Sequence, residues 1–230
     1  HEAASARDRG AIEEVKQKAE SIKAAKEEKK EKYIGINAPK SKVYEEGYMV
    51  RHLGYGINPL TQVPTILGEN DIPVILIGKV ADIVFNDRGK NFMNLVDTET
   101  IFEITLRELK NIDTGFICTN IQETDLAGHA ENPLKYSEIL EISDKYIGKI
   151  IRNLTEDDIL IVTADHGNDP TIGHSQHTRE KVPILIYKKG LSNINIGLRE
   201  TMSDIGATVA EYFNVKFPEN GKSFLKEMKK

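Results

Sequence analysis

The sequence predicts an α/β fold, a mainly parallel sheet sandwiched by helices, on three observations. From residue 51 onward, apolar runs of strand length alternate with longer stretches whose apolar residues recur at helical spacing. IPVILIGK, residues 72–79, is apolar almost throughout, as expected of a strand buried on both faces. The side chains best suited to chemistry gather just past such runs, where open α/β sheets place their sites.

Taken in order, residues 11–32 predict a charged helix with Ile12, Val15, Ala19 and Ile22 along one stripe. Glu14 and Lys18, and Glu28 and Lys32, stand four apart in the favourable order, so a solvated helix with a thin apolar seam is expected. Residues 34–50 contain Gly35, Pro39 and Gly47 and read as a boundary with a short strand at Tyr48–Val50. The chain therefore divides into a charged helix and linker, residues 1–50, and a core, residues 51–230. In the core, strand 72–79 is followed by a helix over about 97–110 carrying Phe102, Leu106 and Leu109. GFICTN, residues 115–120, is the next strand, and Ile139, Ile142, Tyr146 and Ile150 mark a helix running to about 153. Ile159–Val162 and Pro183–Tyr187 read as buried strands, and Ile205, Val209 and Tyr212 place the last helix over about 203–213. Alternation of this kind favours parallel pairing.

Composition narrows the function. A hydrophobic fraction of 39% with 29% charged residues is ordinary for a globular protein. A net charge of −5 gives no electrostatic reason to expect nucleic acid, and no apolar run approaches the ~20 residues a membrane span requires. The single Cys118 excludes an internal disulfide and fits a reducing compartment, so the cytoplasm is expected; inside GFICTN it reads as a core residue. The chain starts His1-Glu2-Ala3 rather than with methionine, and a piece of a longer protein is expected.

Of six histidines, four lie between residues 129 and 177: His129, His166, His174 and His177. They occupy three predicted loops. TNIQETDLAGHAEN holds Asp125 and His129 four apart, with Gly128 allowing close backbone approach. TADHGND holds the adjacent pair Asp165 and His166 at a strand end, and HSQHTRE holds His177 and Arg179. Carboxylate and imidazole are the ligands that borderline divalent metals accept, so these loops read as a metal site. His174 stays open between a ligand and a surface role.

TADHGNDPT followed by HTRE resembles the C-terminal core of phosphopentomutase, a family of the alkaline-phosphatase superfamily. The likeness extends to RHLGYG at 51–56, IPVILIGKVADIV at 72–84, LRETMSDIGATVAEYF at 198–213 and PENGKSFL at 218–225. It implies an alkaline-phosphatase-like core, with the N-terminal helix a remnant of a cap domain. By the same resemblance Asp165 and His166 would bind one metal, and His177, His129 and Asp125 a second. Two divalent ions are implied, manganese first, with zinc or magnesium as alternatives. Lys79 and Arg179 would contact phosphate, because its oxygens need cationic donors. The implied reaction is an isomerase's transfer of a phosphoryl group on a sugar phosphate of pentose metabolism, ribose or deoxyribose 1-phosphate to 5-phosphate. A phosphatase or phosphodiesterase of the same superfamily, or a non-catalytic fragment that keeps its ligands, are the alternatives.

Three departures accompany the likeness. The acid–histidine spacing is four, as in the cofactor-independent phosphoglycerate mutases, and Ala130 and Glu131 stand where an arginine pair is usual. Gln176 replaces the aspartate usual before the histidine. The family's phosphorylated threonine and first metal-binding aspartate come from an N-terminal half that residues 1–50 do not resemble. That half is an expected partner, and without it the chain is expected to bind metal weakly and to show no mutase turnover.

Overall fold

The structure, a computed structural model, describes residues 56–229. The chain divides into two compact units at Gly56, and the second, Ile57–Lys230, is the one described. The expected helix at 11–32 and the strand at Tyr48–Val50 lie outside the described residues.

After a 3-10 turn at Pro59–Thr61 the elements run α1 (Val63–Glu69), β1 (Val74–Gly78), α2 (Lys79–Ile83), β2 (Lys90–Phe92), α3 (Thr98–Asn111), β3 (Phe116–Asn120), α4 (Glu123–His129) and α5 (Pro133–Asn153). Then follow β4 (Leu160–Thr163), β5 (Ile184–Tyr187), α6 (Ser203–Tyr212) and a closing 3-10 turn at Glu227–Lys229. Local chemistry explains several boundaries. Asp97 accepts the Thr100 N–H at the start of α3, at 2.8 Å. Asn132 accepts the Lys135 N–H at 3.0 Å, with Pro133 supplying a preset φ in the first turn of α5.

Three strands form a parallel sheet in the order β2-β1-β3. Val74 and Leu76 of β1 face a cluster with Leu67, Ala81 and Val209, so α1 and α6 cover that side. Ile75 and Ile77 face Ile101 of α3 on the other side. All five β1 residues are buried, as a central strand between two helical layers must be. Gly78 ends it with φ at +81°, where a Cβ would lie 2.5 Å from the Asn120 carbonyl oxygen. Only glycine combines that dihedral with so close an approach.

β4 and β5 form a separate antiparallel pair, Leu160 opposite Tyr187 through Thr163 opposite Ile184. Ile159, Ile161, Ile184 and Ile186 pack on Phe224, Leu225 and Met228, while Leu160 turns to the α3–α5 cluster of Phe102, Leu106, Tyr146 and Ile150. The expectation of buried strands here is corrected. No residue of β4 or β5 is buried, and Leu185 is 62% exposed. The reason is pairing: each strand has one neighbour among the described residues, and one face of the pair is covered chiefly at Leu160.

A second correction concerns α4. The stretch holding Asp125 and His129 was expected to be a loop, yet Glu123–His129 is helical. The four-residue spacing that suggested a ligand pair is itself the spacing that brings side chains together on one helix face. No described helix is long and apolar enough to cross a membrane.

Candidate metal centre

β3 and β4 each end in a segment that carries chemistry. β3 runs into α4, which presents Asp125 and His129. β4 ends at Thr163 and opens the loop bearing Asp165, His166 and Asn168. That loop is tied to the stretch bearing His177 by an isolated antiparallel bridge, Gly167 opposite Thr178, with the Thr178 N–H donating to the Gly167 carbonyl at 2.9 Å. A Cβ at Gly167 would stand 2.6 Å from the Glu180 carboxyl carbon and 2.7 Å from the Thr178 hydroxyl, so a side chain there would displace those two side chains.

The result is convergence. Asp125, His129 and His177 each offer a ligand atom, and these lie within 4.8 Å of one another. His177 Nε2 is 3.2 Å from Asp125 Oδ1, His129 Nε2 is 3.3 Å from Asp125 Oδ2, and the two Nε2 atoms are 3.1 Å apart. Ligands held ~2.1 Å from a tetrahedral zinc-like ion would stand ~3.4 Å apart, so these separations are of first-sphere size.

Tautomers sharpen the point. His129 Nδ1 lies 2.8 Å from the Ser175 carbonyl oxygen, which can only accept, so Nδ1 carries the proton. In the neutral ring Nε2 then presents a lone pair, aimed at the Nε2 of His177. With its own Nδ1 protonated, His177 would present a second lone pair there, and two such nitrogens beside a carboxylate can hold a cation between them. The donor set therefore fits a divalent metal on the chemistry of its own atoms, and the Ser175 carbonyl is the outer partner that orients the ligand.

His166 borders this group. Its ring stacks on His177 at 3.6 Å between centroids, and its Nδ1 faces the Gly167 carbonyl at 3.2 Å. Its Nε2 is 3.9 Å from Asp125 Oδ1 and 3.7 Å from Asp165 Oδ1. Asp165 is the most open of the acids and histidines here, its side chain 69% exposed. His174 stands apart, its Nδ1 accepting the Gln176 N–H at 3.2 Å within a local turn. Arg179 is exposed and makes no hydrogen bond or ion pair among the described residues. Lys79 opens α2 at the C-terminal end of β1, the end where β3 delivers α4.

Two further neighbours escaped the sequence reading. Asn168 donates from Nδ2 to both the main-chain carbonyl of Asp125, at 3.1 Å, and its Oδ1, at 2.7 Å. Gly128 was the available signal, since it implied that some group approaches α4 closely. Tyr136 on α5 is the other. Its phenol is held above its usual range by burial and by the negative charges of Asp125, Asp169 and Glu180, which marks the surroundings of the cluster as electronegative.

The family described as Metalloenzyme superfamily matches residues 16–217. Over 181 residues the chain is 40% identical to a phosphopentomutase of Clostridioides difficile, covering 74% of this chain and 44% of that protein. Over 164 residues it is 39% identical to a phosphopentomutase of Kosmotoga olearia, covering 70% of this chain and 42% of that protein. The chain thus spans less than half the length of these curated relatives. A crystal structure of Leishmania mexicana phosphoglycerate mutase at low cobalt concentration superposes with a TM-score of 0.54 at 17% identity. It covers 70% of this chain and 38% of that one, and it shows a shared fold.

Proposed function

The chain belongs to the Metalloenzyme superfamily, and from that premise we propose that it carries the metal-holding part of a phosphomutase acting on a pentose phosphate in the cytoplasm. The reaction moves a phosphoryl group between C1 and C5 of ribose or deoxyribose. The observation that supports it best is the convergence of Asp125, His129 and His177 in a chain 40% identical to a protein named phosphopentomutase.

In this reading Asp125, His129 and His177 hold one ion, and Asp165 and His166 contribute to a second. Bound divalent ions, manganese first among those a carboxylate–imidazole set accepts, would supply Lewis-acid stabilisation of the reacting phosphoryl oxygens. The residues of this chain supply the rest. The Ser175 and Gly167 carbonyls keep the protons of His129 and His166 on Nδ1, leaving each Nε2 to face the centre. Arg179, exposed beside His177, would meet the phosphate with a planar pair of donors, and Lys79 would add a point charge.

The test uses protein expressed from the whole reading frame that encodes this chain, loaded with Mn²⁺ and given ribose 1-phosphate. Appearance of ribose 5-phosphate by ³¹P NMR is the expected result. Release of inorganic phosphate without transfer would make the protein a hydrolase, and no turnover of either kind would overturn the reading.

A further inference from the structure

We propose that Asn168 is a positioning residue that sets the plane of the Asp125 carboxylate. The inference rests on the reading of Asp125, His129 and His177 as a metal centre. A carboxylate turns easily about its last torsion, whose energy well is broad and two-fold. Asn168 removes that freedom. One Nδ2 hydrogen goes to Asp125 Oδ1 at 2.7 Å and the other to the Asp125 main-chain carbonyl at 3.1 Å. An amide NH₂ has two hydrogens to give, and both are given to one residue. With the plane so fixed, Oδ1 faces His177 Nε2 at 3.2 Å while Oδ2 faces His129 Nε2 at 3.3 Å.

The other end of the amide shows what the arrangement is for. Asn168 Oδ1 is buried and has no hydrogen-bond partner among the described residues. The reverse orientation would set that oxygen against two Asp125 oxygens, so the NH₂ must face Asp125 and the carbonyl is left toward α4. It lies over Gly128, where a Cβ would come within 2.1 Å of it. Gly128 is a buried residue inside a helix with no unusual dihedral, so what glycine supplies there is room for the amide. A side chain that leaves a buried oxygen unsatisfied, and claims a weak helix former opposite, serves the site ahead of stability.

Protein expressed from the whole reading frame that encodes this chain, with Asn168→Ala, Gly128→Ala and the double variant in the same background, is titrated with Co²⁺, followed by visible absorption and calorimetry. Asn168→Ala should weaken Co²⁺ binding by on the order of 10- to 100-fold and change the absorption spectrum, as loss of an outer-sphere partner does. The melting temperature of its metal-free form should hold or rise, because an unsatisfied oxygen has been removed. Gly128→Ala should weaken binding similarly by displacing the amide, yet add little in the Asn168→Ala background, where nothing is left to strike. Should Asn168→Ala fold poorly, Asn168→Leu keeps the volume without the donors and should show the same loss. A purely structural asparagine would instead lower the melting temperature and leave the spectrum alone. Unchanged affinity and spectrum in Asn168→Ala, or additive effects in the double variant, would overturn the inference while the metal centre stands. Failure of the unaltered chain to take Co²⁺ at all would remove the metal centre and this inference together.

Discussion

β1 and β4 are both apolar strands that lead into polar segments, yet they live differently. β1 has a parallel neighbour on each edge and a helical layer on each face, and every residue of it is buried. β4 has one antiparallel neighbour among the described residues, and none of its residues is buried. The polar groups past β4 are correspondingly open, with side-chain exposures of 30% at His166 and 48% at His177. The two regions divide the work. The sheet around β1 supplies cohesive energy and fixes where β3 delivers α4, and the region past β4 holds acids and histidines that stay partly open to solvent. Stability and chemistry are thus placed on different strands.

The largest test of that division is Leu76→Ala. Leu76 is fully buried in β1, and a cavity there should cost about 2–5 kcal/mol in urea unfolding. A loss under about 1 kcal/mol would mean that β1 is not the cohesive strand. On the other side, metal should stabilise the region past β4 by mass action. Mn²⁺ at ~100 times its dissociation constant should raise the unfolding free energy by ~2.7 kcal/mol, a gain that a chelator abolishes. His177→Ala should remove that gain while leaving the metal-free chain within ~0.5 kcal/mol of the parent, since His177 is half exposed. A metal-free His177→Ala chain that unfolds much more easily would show that the histidines hold structure instead.

Legibility follows the same line. α3, α5 and α6 announce themselves because burial on one face imposes a period on the sequence, and β1 and β3 because cover on both sides calls for short, nearly continuous apolar runs. α4 does not: ETDLAGH has too few apolar residues for a period, and Gly128 weakens any helical reading. Asp125, His129, His166 and His177 could be nominated from residue type and spacing, because few other side chains bind metal. Asn168 could not, since its role lies entirely in a partner 43 residues away, and an asparagine in a turn has many reasons to be there. Nor could the exposure of β4 and β5, because an apolar run states what a strand prefers to touch and says nothing of how many neighbours it finds.

An intermediate effect is expected at Glu108, where charge is carried into the covered side of the molecule. Its side chain is 4% exposed and accepts from Lys90 Nζ at 3.0 Å and from Arg107 Nε at 3.1 Å. The Lys90 hydrogen bond foremost, and then Arg107, hold its carboxyl below its ordinary value of 4.5 against the opposing effect of burial. A lowered folded value means that the contribution is present above pH 4.5 and fades as pH falls through the folded value. Glu108→Gln should therefore lose about 1 kcal/mol at neutral pH, the lysine partner being mostly exposed, and should converge with the parent in acid. A difference that persists unchanged well below pH 4 would mean that Glu108 acts through packing rather than charge.

The smallest effect sharpens the comparison most, because it holds residue type constant. Leu185 on β5 and Leu76 on β1 are both strand leucines, but Leu185 is 62% exposed where Leu76 is fully covered. Leu185→Ala should change the unfolding free energy by no more than about 0.5 kcal/mol, against the several lost at Leu76. The contrast would show that environment sets the worth of a leucine in this molecule. The opposite outcome is equally informative. A loss above about 2 kcal/mol at Leu185 would mean that the face it shares with Leu160 and Val162 is covered in the folded protein, and that β4 and β5 are as much core strands as β1.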